Sequence, residues 1–395
     1  MKYHRHLLQS CLQALNGIFH EDRHADKCIE YYLRNNRKWG SRDRRFFAET
    51  VYDCVRWWPL YWHLANEKPG QANWNFLGAS LWNRNLPKPN LEEFTKCDFN
   101  EFENRYKNIE TPFTREAFPK WLYNKLSEEI ADWDSLAPYF NKPNQLVLRV
   151  NESRISRSEV IKDLLSDDIE AQELAGTGSG IIINKRVNIF QNPMFKKGFI
   201  EVQDGSSQNV APFLELEPGM RVIDACAGAG GKTLHIADLL ANRGKIISMD
   251  IHQWKLDQLK LRARRNQFSN IEMKVIDSSK VIKRMKETAD RLLLDVPCSG
   301  LGVLRRNPDT KWKISVQQIE ELQGIQADLL TRYSQMLKPG GIMVYATCSV
   351  LPSENEKQVE KFLEKNSNFQ LLKQKKYMPT RPGFDGFYLA QLEKN

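Results

Sequence analysis

The sequence predicts an α/β fold built on a Rossmann-like, doubly wound parallel sheet, and three observations carry that expectation. After Asp204-Gly205-Ser206-Ser207-Gln208, short apolar runs alternate with helix-length patterns, the rhythm of strands joined by helical crossovers. Four of the five runs, 220–224, 245–250, 271–277 and 291–295, end in Asp224, Asp250, Asp277 and Asp295, while 341–346 leads into Thr347-Cys348-Ser349. Open α/β sheets bind ligands at the carboxyl edge, so four acids and a thiol gathered there mark a polar site. The third observation is a glycine-rich turn, Asp224-Ala225-Cys226-Ala227-Gly228-Ala229-Gly230-Gly231-Lys232-Thr233, lying directly between a strand and a helix.

The first part of the chain is predicted to be helical. Leu8, Cys11, Leu12, Leu15 and Phe19 recur at three and four, as do Phe47, Val51, Cys54, Val55 and Trp58. Between them, the basic stretch 37–45 includes Trp39 and has the composition of a nucleic-acid surface, but from this stretch alone a solvated loop before a helix start is favoured. Pro59, Pro69, Gly70, Pro87 and Pro89 predict a less regular region. Phe118, Trp121, Leu122, Leu126, Ile130 and Trp133 restore helical spacing, which Pro138 and Pro143 are expected to close. A boundary near residue 140 therefore sets off a helical, RNA-binding domain at 1–140.

A compact βα segment follows, with strands at 146–150, 169–174, 180–183 and 199–202 and a helix at 156–165. Lys185, Arg186, Lys196 and Lys197 are placed to track phosphates, although charges on turns are more often simply solvated. In the last part, helices are predicted at 234–240, 253–266, 281–286 and 316–337.

Composition narrows the partner. With 58 Lys and Arg against 49 Asp and Glu, the net charge of +9 favours a polyanion, nucleic acid ahead of a membrane surface. No apolar run reaches the ~18 residues that span a bilayer, and no signal-peptide core follows Met1, so a soluble cytoplasmic protein, monomeric and without membrane contact, is expected. Seven cysteines make an odd count with no C-x-x-C pair, which argues against a disulfide framework and a thiolate metal site. No metal is expected.

Three ligands compete for the glycine turn. A P-loop needs a glycine where Cys226 stands, and a dinucleotide fingerprint needs one at Thr233. S-adenosylmethionine, by its charge and shape, suits a carboxylate-lined edge rather than a phosphate cradle. Asp250 is placed to hold ribose hydroxyls, Asp277 to accept from the adenine amine and Lys232 to meet the methionine carboxylate.

The acceptor is read from Asp295-Val296-Pro297-Cys298-Ser299-Gly300, where a thiol stands in place of the aromatic used by adenine N-methylating enzymes. A thiol can add to C6 of a pyrimidine and turn C5 into an enamine nucleophile; without that covalent step C5 is too inert to take a methyl group. Either Cys298 or Cys348 can do this by chemistry alone.

Residues 203–388 resemble the catalytic domain of the RsmB/Nop2/Sun family of RNA cytosine-C5 methyltransferases. The resemblance is carried by Gln203-Asp204-Gly205-Ser206-Ser207-Gln208, the turn from Asp224 to Thr233, Asp295-Val296-Pro297-Cys298-Ser299-Gly300, Arg305-Arg306-Asn307-Pro308-Asp309, Thr347-Cys348-Ser349 and Asp385-Gly386-Phe387-Tyr388. It implies a class I S-adenosylmethionine-dependent catalytic domain at 203–395, preceded by a ferredoxin-like RNA-binding segment at 144–202 and the helical region. It assigns Cys226, Ala227, Gly228, Ala229, Gly230, Gly231, Lys232, Asp250, Asp277 and Asp295 to the cofactor and Cys348 to nucleophilic attack. By the same resemblance Cys298 assists release and Asp295 also hydrogen-bonds the cytosine near N3. One departure is that the family turn often carries a proline where Gly228-Ala229 stand here. The substrate implied is RNA, rRNA ahead of tRNA. The alternatives are a P-loop-like NTPase and a catalytically silent RNA-binding assembly factor.

Overall fold

The computed structural model describes residues 3–184 and 187–395. It divides into two compact units, one of residues 1–142 with 304–314 and the other of residues 143–303 with 315–395.

The first unit is helical. Helix Arg5–His20 turns Leu7, Leu8, Cys11, Leu15 and Ile18 inward, and Ser41–Arg56 does the same with Phe47, Val51, Cys54 and Val55. Residues 37–40 form the loop ahead of that second helix. The region expected to be irregular instead holds helices Trp58–Ala65 and Trp74–Asn83. Pro59 does not interrupt, because it stands in a first turn whose N–H groups have no intrahelical acceptor. Pro138 likewise lies inside helix Trp133–Asn141, and the stop comes at Lys142, held extended by the following Pro143.

Residues 304–314 complete this unit. Lys311, wholly buried, donates from Nζ to the carbonyls of Arg56 at 3.0 Å and Ala117 at 2.8 Å, and to Oδ1 of Asn141 at 2.8 Å. Trp312 Nε1 donates to the Val55 carbonyl at 2.7 Å, and Asp309 accepts the Ala25 N–H at 3.0 Å. Three acceptors match the three protons of an ammonium group, so a lysine is tolerated where a lone charge would not be.

In the second unit, strands β1 (Leu146–Val150), β2 (Ala171–Glu173), β3 (Gly180–Ile183) and β4 (Ile200–Val202) form an antiparallel sheet in the order β2-β3-β1-β4. Helix Arg157–Ser166, started by a Ser156–Glu159 capping box, connects β1 to β2, and Pro193–Lys196 lies between β3 and β4, giving a ferredoxin-like βαββαβ topology. Lys196 and Lys197 are exposed, whereas Lys185 and Arg186 lie outside the described residues.

The larger sheet contains β5 (Arg221–Asp224), β6 (Lys245–Asp250), β7 (Ile271–Val275), β8 (Ala289–Asp295), β9 (Leu337–Thr347), β10 (Phe369–Tyr377) and β11 (Phe387–Lys394), ordered β10-β11-β9-β8-β5-β6-β7. β5 to β9 run parallel, and β11 pairs antiparallel with both β9 and β10. The winding reverses between β5 and β8, which puts the ligand crevice at their carboxyl ends. Three features depart from expectation: β7 stops before Asp277, helix Val316–Tyr333 is shorter than predicted, and the chain closes with helix Glu356–Lys365 and two unforeseen strands.

Candidate active site

The glycine turn leaves β5 at the reversal point. Gly230 adopts φ +87°, and a Cβ there would fall 2.1 Å from Cδ1 of Leu259, so glycine is needed for both conformation and space. The turn is gripped from two sides. Asp250 accepts the N–H of Gly228 at 3.0 Å and of His252 at 2.9 Å, while Arg262 and Arg149 donate to the carbonyls of Ala229 and Gly231, each at 2.8 Å. Arg149 comes from β1 of the ferredoxin-like sheet and is wholly buried; burial lowers its pKa to about 10. Glu201 of β4 in turn accepts from Arg262, Arg265 and Asn266. The smaller sheet thus braces the loop of the larger one.

Beside the turn lies a cavity of ≈ 410 Å³ whose lining includes Cys226, Gly228, Asp250, Ile276, Asp295 and Tyr333. Its size suits a nucleoside-sized ligand. Behind it, Asp224 is buried; Oδ2 accepts the Thr233 hydroxyl at 2.7 Å and Oδ1 has no partner. Burial, reinforced by the charge of Asp295, pushes Asp224 up to about 7. Burial and the surrounding acids Asp224, Asp295 and Asp250 hold the Cys226 thiol well above its ordinary value, which suits a neutral wall rather than a nucleophile.

The two candidate thiols meet at the next strand ends. β8 and β9 are neighbours with Asp295 opposite Ala346, so the loops that follow them deliver Cys298 and Cys348 side by side, sulfurs 3.3 Å apart. Hydrogen bonding to Cys348, then burial, then the negative charges of Cys348 and Glu354 keep Cys298 well above a normal thiol pKa. Lys232 donates to Asp295 Oδ2 at 2.6 Å and lies 5.2 Å from the Phe387 ring centroid. Burial works against the Lys232 ammonium, but Asp295 outweighs it, with Cys348 and Asp224 adding to the same side, and the pKa ends above its ordinary value. Gly302 N–H donates to the Cys348 carbonyl at 2.9 Å, fixing the loop that carries this thiol.

Most of the sequence-predicted residues therefore gather at one edge. Cys226, Gly228, Asp250 and Asp295 face the cavity, Ala227, Ala229, Gly230 and Gly231 supply the turn, and Lys232 reaches Asp295. Asp277 stands apart: it is exposed, beyond the end of β7, and accepts the Ser278 hydroxyl at 3.0 Å, while Ile276 takes its place in the lining. Sequence reasoning missed Ile251, Pro297 and Tyr333 in the cavity wall, and Glu354 and Asn355 behind the thiols. Ile251 directly follows β6 and Pro297 lies two residues past β8, so both were open to prediction on that ground; Tyr333, on a helix distant in sequence, gave no such signal. Among the described residues no cluster suits a metal ion, and no helix is long and apolar enough to cross a membrane.

This architecture has known counterparts. The solved structure of PH0851 aligns with the chain at a TM-score of 0.83 and 23% identity, covering 100% of both chains. A methyltransferase homolog protein from Pyrococcus horikoshii aligns over 72% of this chain and 98% of its own, at a TM-score of 0.64 and 26% identity. Among curated proteins, the "Probable ribosomal RNA small subunit methyltransferase B" of Synechocystis sp. is 38% identical over 258 residues, 64% of this chain and 58% of its own length. The ribosomal RNA small subunit methyltransferase B of Pasteurella multocida is 35% identical, with 70% of this chain and 65% of that protein covered. Its counterpart in Pseudomonas syringae is 32% identical, with 72% and 67% covered. The alignments thus span about two thirds or less of those relatives. A family model for the ferredoxin-like domain of RsmF/B-like methyltransferases matches residues 118–190, and one described as 16S rRNA methyltransferase RsmB/F matches residues 211–393. With these matches in order along a ferredoxin-like sheet and a methyltransferase sheet, the chain belongs to the RsmB/F family.

Proposed function

We propose that this protein transfers a methyl group from S-adenosylmethionine to C5 of a cytosine in RNA, rRNA in the first instance and tRNA in the second, through a covalent bond between Cys348 and C6. The single observation that carries the reading is the pair of thiols at adjacent strand ends beside Lys232 and Asp295. Neither thiol lines the cavity beside the glycine turn, whereas cytosine C5 requires a nucleophile at C6.

The donor-side residues fit such a cofactor. Asp250, already fixed by two backbone N–H groups, would hold the ribose, and Ile251, Ile276 and Pro297 would sandwich the adenine. When bound, S-adenosylmethionine supplies an electrophilic methyl group. On the acceptor side, the Cys348 thiolate adds to C6, the C5–C6 π pair moves to C5, and C5 takes the methyl as its bond to the donor sulfur breaks and S-adenosylhomocysteine leaves. Loss of the C5 proton and breakage of the S–C6 bond then return the thiolate and leave 5-methylcytosine. Lys232 contributes a positive charge to the site, Asp295 hydrogen-bonds the base near N3, and Cys298, held as a neutral thiol, assists release. The NTPase alternative is disfavoured because Cys226 stands where a P-loop needs its first glycine.

The test is methyl transfer from labelled S-adenosylmethionine to rRNA and tRNA taken from cells lacking this protein, with the products mapped for 5-methylcytosine. Label in cytosine C5, lost in Cys348→Ser, is the expected result. With 5-azacytidine RNA, wild type and Cys298→Ser should form covalent adducts and Cys348→Ser none. An adduct that survives loss of Cys348 but not of Cys298 reverses the two roles, and RNA binding with no transfer favours the silent assembly factor.

A further inference from the structure

The most heavily bonded group behind the thiols is a carboxylate. Glu354 is wholly buried. Its Oε1 accepts the backbone N–H of Ser299 at 2.8 Å and Nε2 of Gln326 at 3.0 Å, and its Oε2 accepts the hydroxyls of both Ser299 and Ser349. Ser299 follows Cys298 and Ser349 follows Cys348, so one side chain ties together two loops that leave different strands. Gln326 extends the tie by donating to the Pro297 carbonyl at 3.0 Å, on the other side of Cys298. The backbone around Glu354 is anchored independently: Tyr345 donates from its hydroxyl to the Glu354 carbonyl at 2.7 Å, and Asn355 donates to the Ser349 carbonyl at 3.1 Å.

We propose that Glu354 is a positioning residue that holds the Cys298 and Cys348 loops in register, setting the separation and relative reactivity of the two thiols. A buried carboxylate is costly unless several donors surround it, and here the donors come from the loops whose spacing matters. Its charge also opposes ionisation of Cys298, so the residue that fixes the geometry helps to keep that thiol protonated. The consequence for turnover rests on the cytosine-C5 reading; the effect on the thiols does not.

The test therefore starts without RNA. Wild type, Glu354→Gln and the double variant Ser299→Ala/Ser349→Ala are treated with iodoacetamide, and mass spectrometry gives the alkylation rate of each thiol. The ratio of the two rates should change by about tenfold in both variants. In methyl-transfer assays corrected for folded protein, kcat should fall by about 10²-fold with KM for RNA and cofactor unchanged, as expected when reacting groups are displaced rather than removed. Glu354→Asp, which restores the charge, should recover part of the loss. If Glu354→Gln fails to fold, the serine variant carries the test. Wild-type thiol ratios in the variants, with any loss of activity tracking loss of folded protein, would overturn the proposal. Wild-type protein that methylates no cytosine, together with altered ratios in the variants, would sink the cytosine reading and leave the positioning role standing.

Discussion

Lys311 and Lys232 both lie largely out of water, and their surroundings drive them in opposite directions. Lys311, in the helical unit, is surrounded by neutral oxygens; burial and then the Arg56 guanidinium push its pKa well down, with Glu116 only partly opposing them. Lys232, at the glycine turn, has a side chain 15% exposed and a carboxylate 2.6 Å away, and its pKa rises. Burial alone does not make a lysine chemical. A lysine among carbonyls ties segments together, whereas the one beside an acid and a thiol is proposed to supply charge to the reaction.

The comparison can be tested from its largest consequence to its smallest. Lys232→Met should lower kcat by about 10³-fold, the scale of a lost electrostatic stabiliser, while the thermal midpoint moves little. Unchanged turnover would remove Lys232 from the chemistry. Lys311→Met should do the reverse: three buried acceptors lose their donor, the helical unit is destabilised by about 3 kcal/mol in urea unfolding, and kcat per folded molecule is retained. A loss of turnover matching that of Lys232→Met would erase the distinction.

The pH dependence separates the sites further. Because Lys311 has a folded-state pKa below its unfolded value, the unfolded chain binds the extra proton between the two. Stability of the helical unit should therefore rise with pH through that window, and Lys311→Met should abolish the slope in urea midpoints. Asp224 is a subtler case. Its pKa rises from 3.8 to about 7 on folding, so the native state holds a proton that the unfolded chain has lost. Its contribution is present at acid pH and declines as pH climbs to about 7; thermal scans of Asp224→Asn should show a flatter profile over that range.

The parallel strands were legible because each is a short apolar run between helix-length patterns, and Asp224, Asp250 and Asp295 could be placed at strand ends by counting. Asp277 could not, since the hydrophobic run continues through Ile276 after the pairing of β7 has ended at Val275. β10 was obscured because it is an edge strand. Lys373, Lys375 and Lys376 break its alternation, as suits an edge that must not pair with another chain. Glu354 gave no signal for a different reason: an acid in Pro352-Ser353-Glu354-Asn355 has the composition of a solvated helix start, and only folding brings Ser299 and Gln326 to it. That residues 304–314 join the helical unit gave no signal either, because a buried lysine is invisible until its three acceptors are assembled.

That inserted segment also bears on how the protein is made. The helical unit takes Lys311 and Trp312 into its interior, yet residues 143–303 are translated between its first part and that piece. At ~5–20 residues per second, a nascent helical unit waits on the order of 10 s before its missing piece emerges from the ribosome. During that interval the carbonyls of Arg56 and Ala117 lack the amine that satisfies them in the finished protein. Completion of this unit therefore waits for residues 304–314, although most of it precedes residue 143.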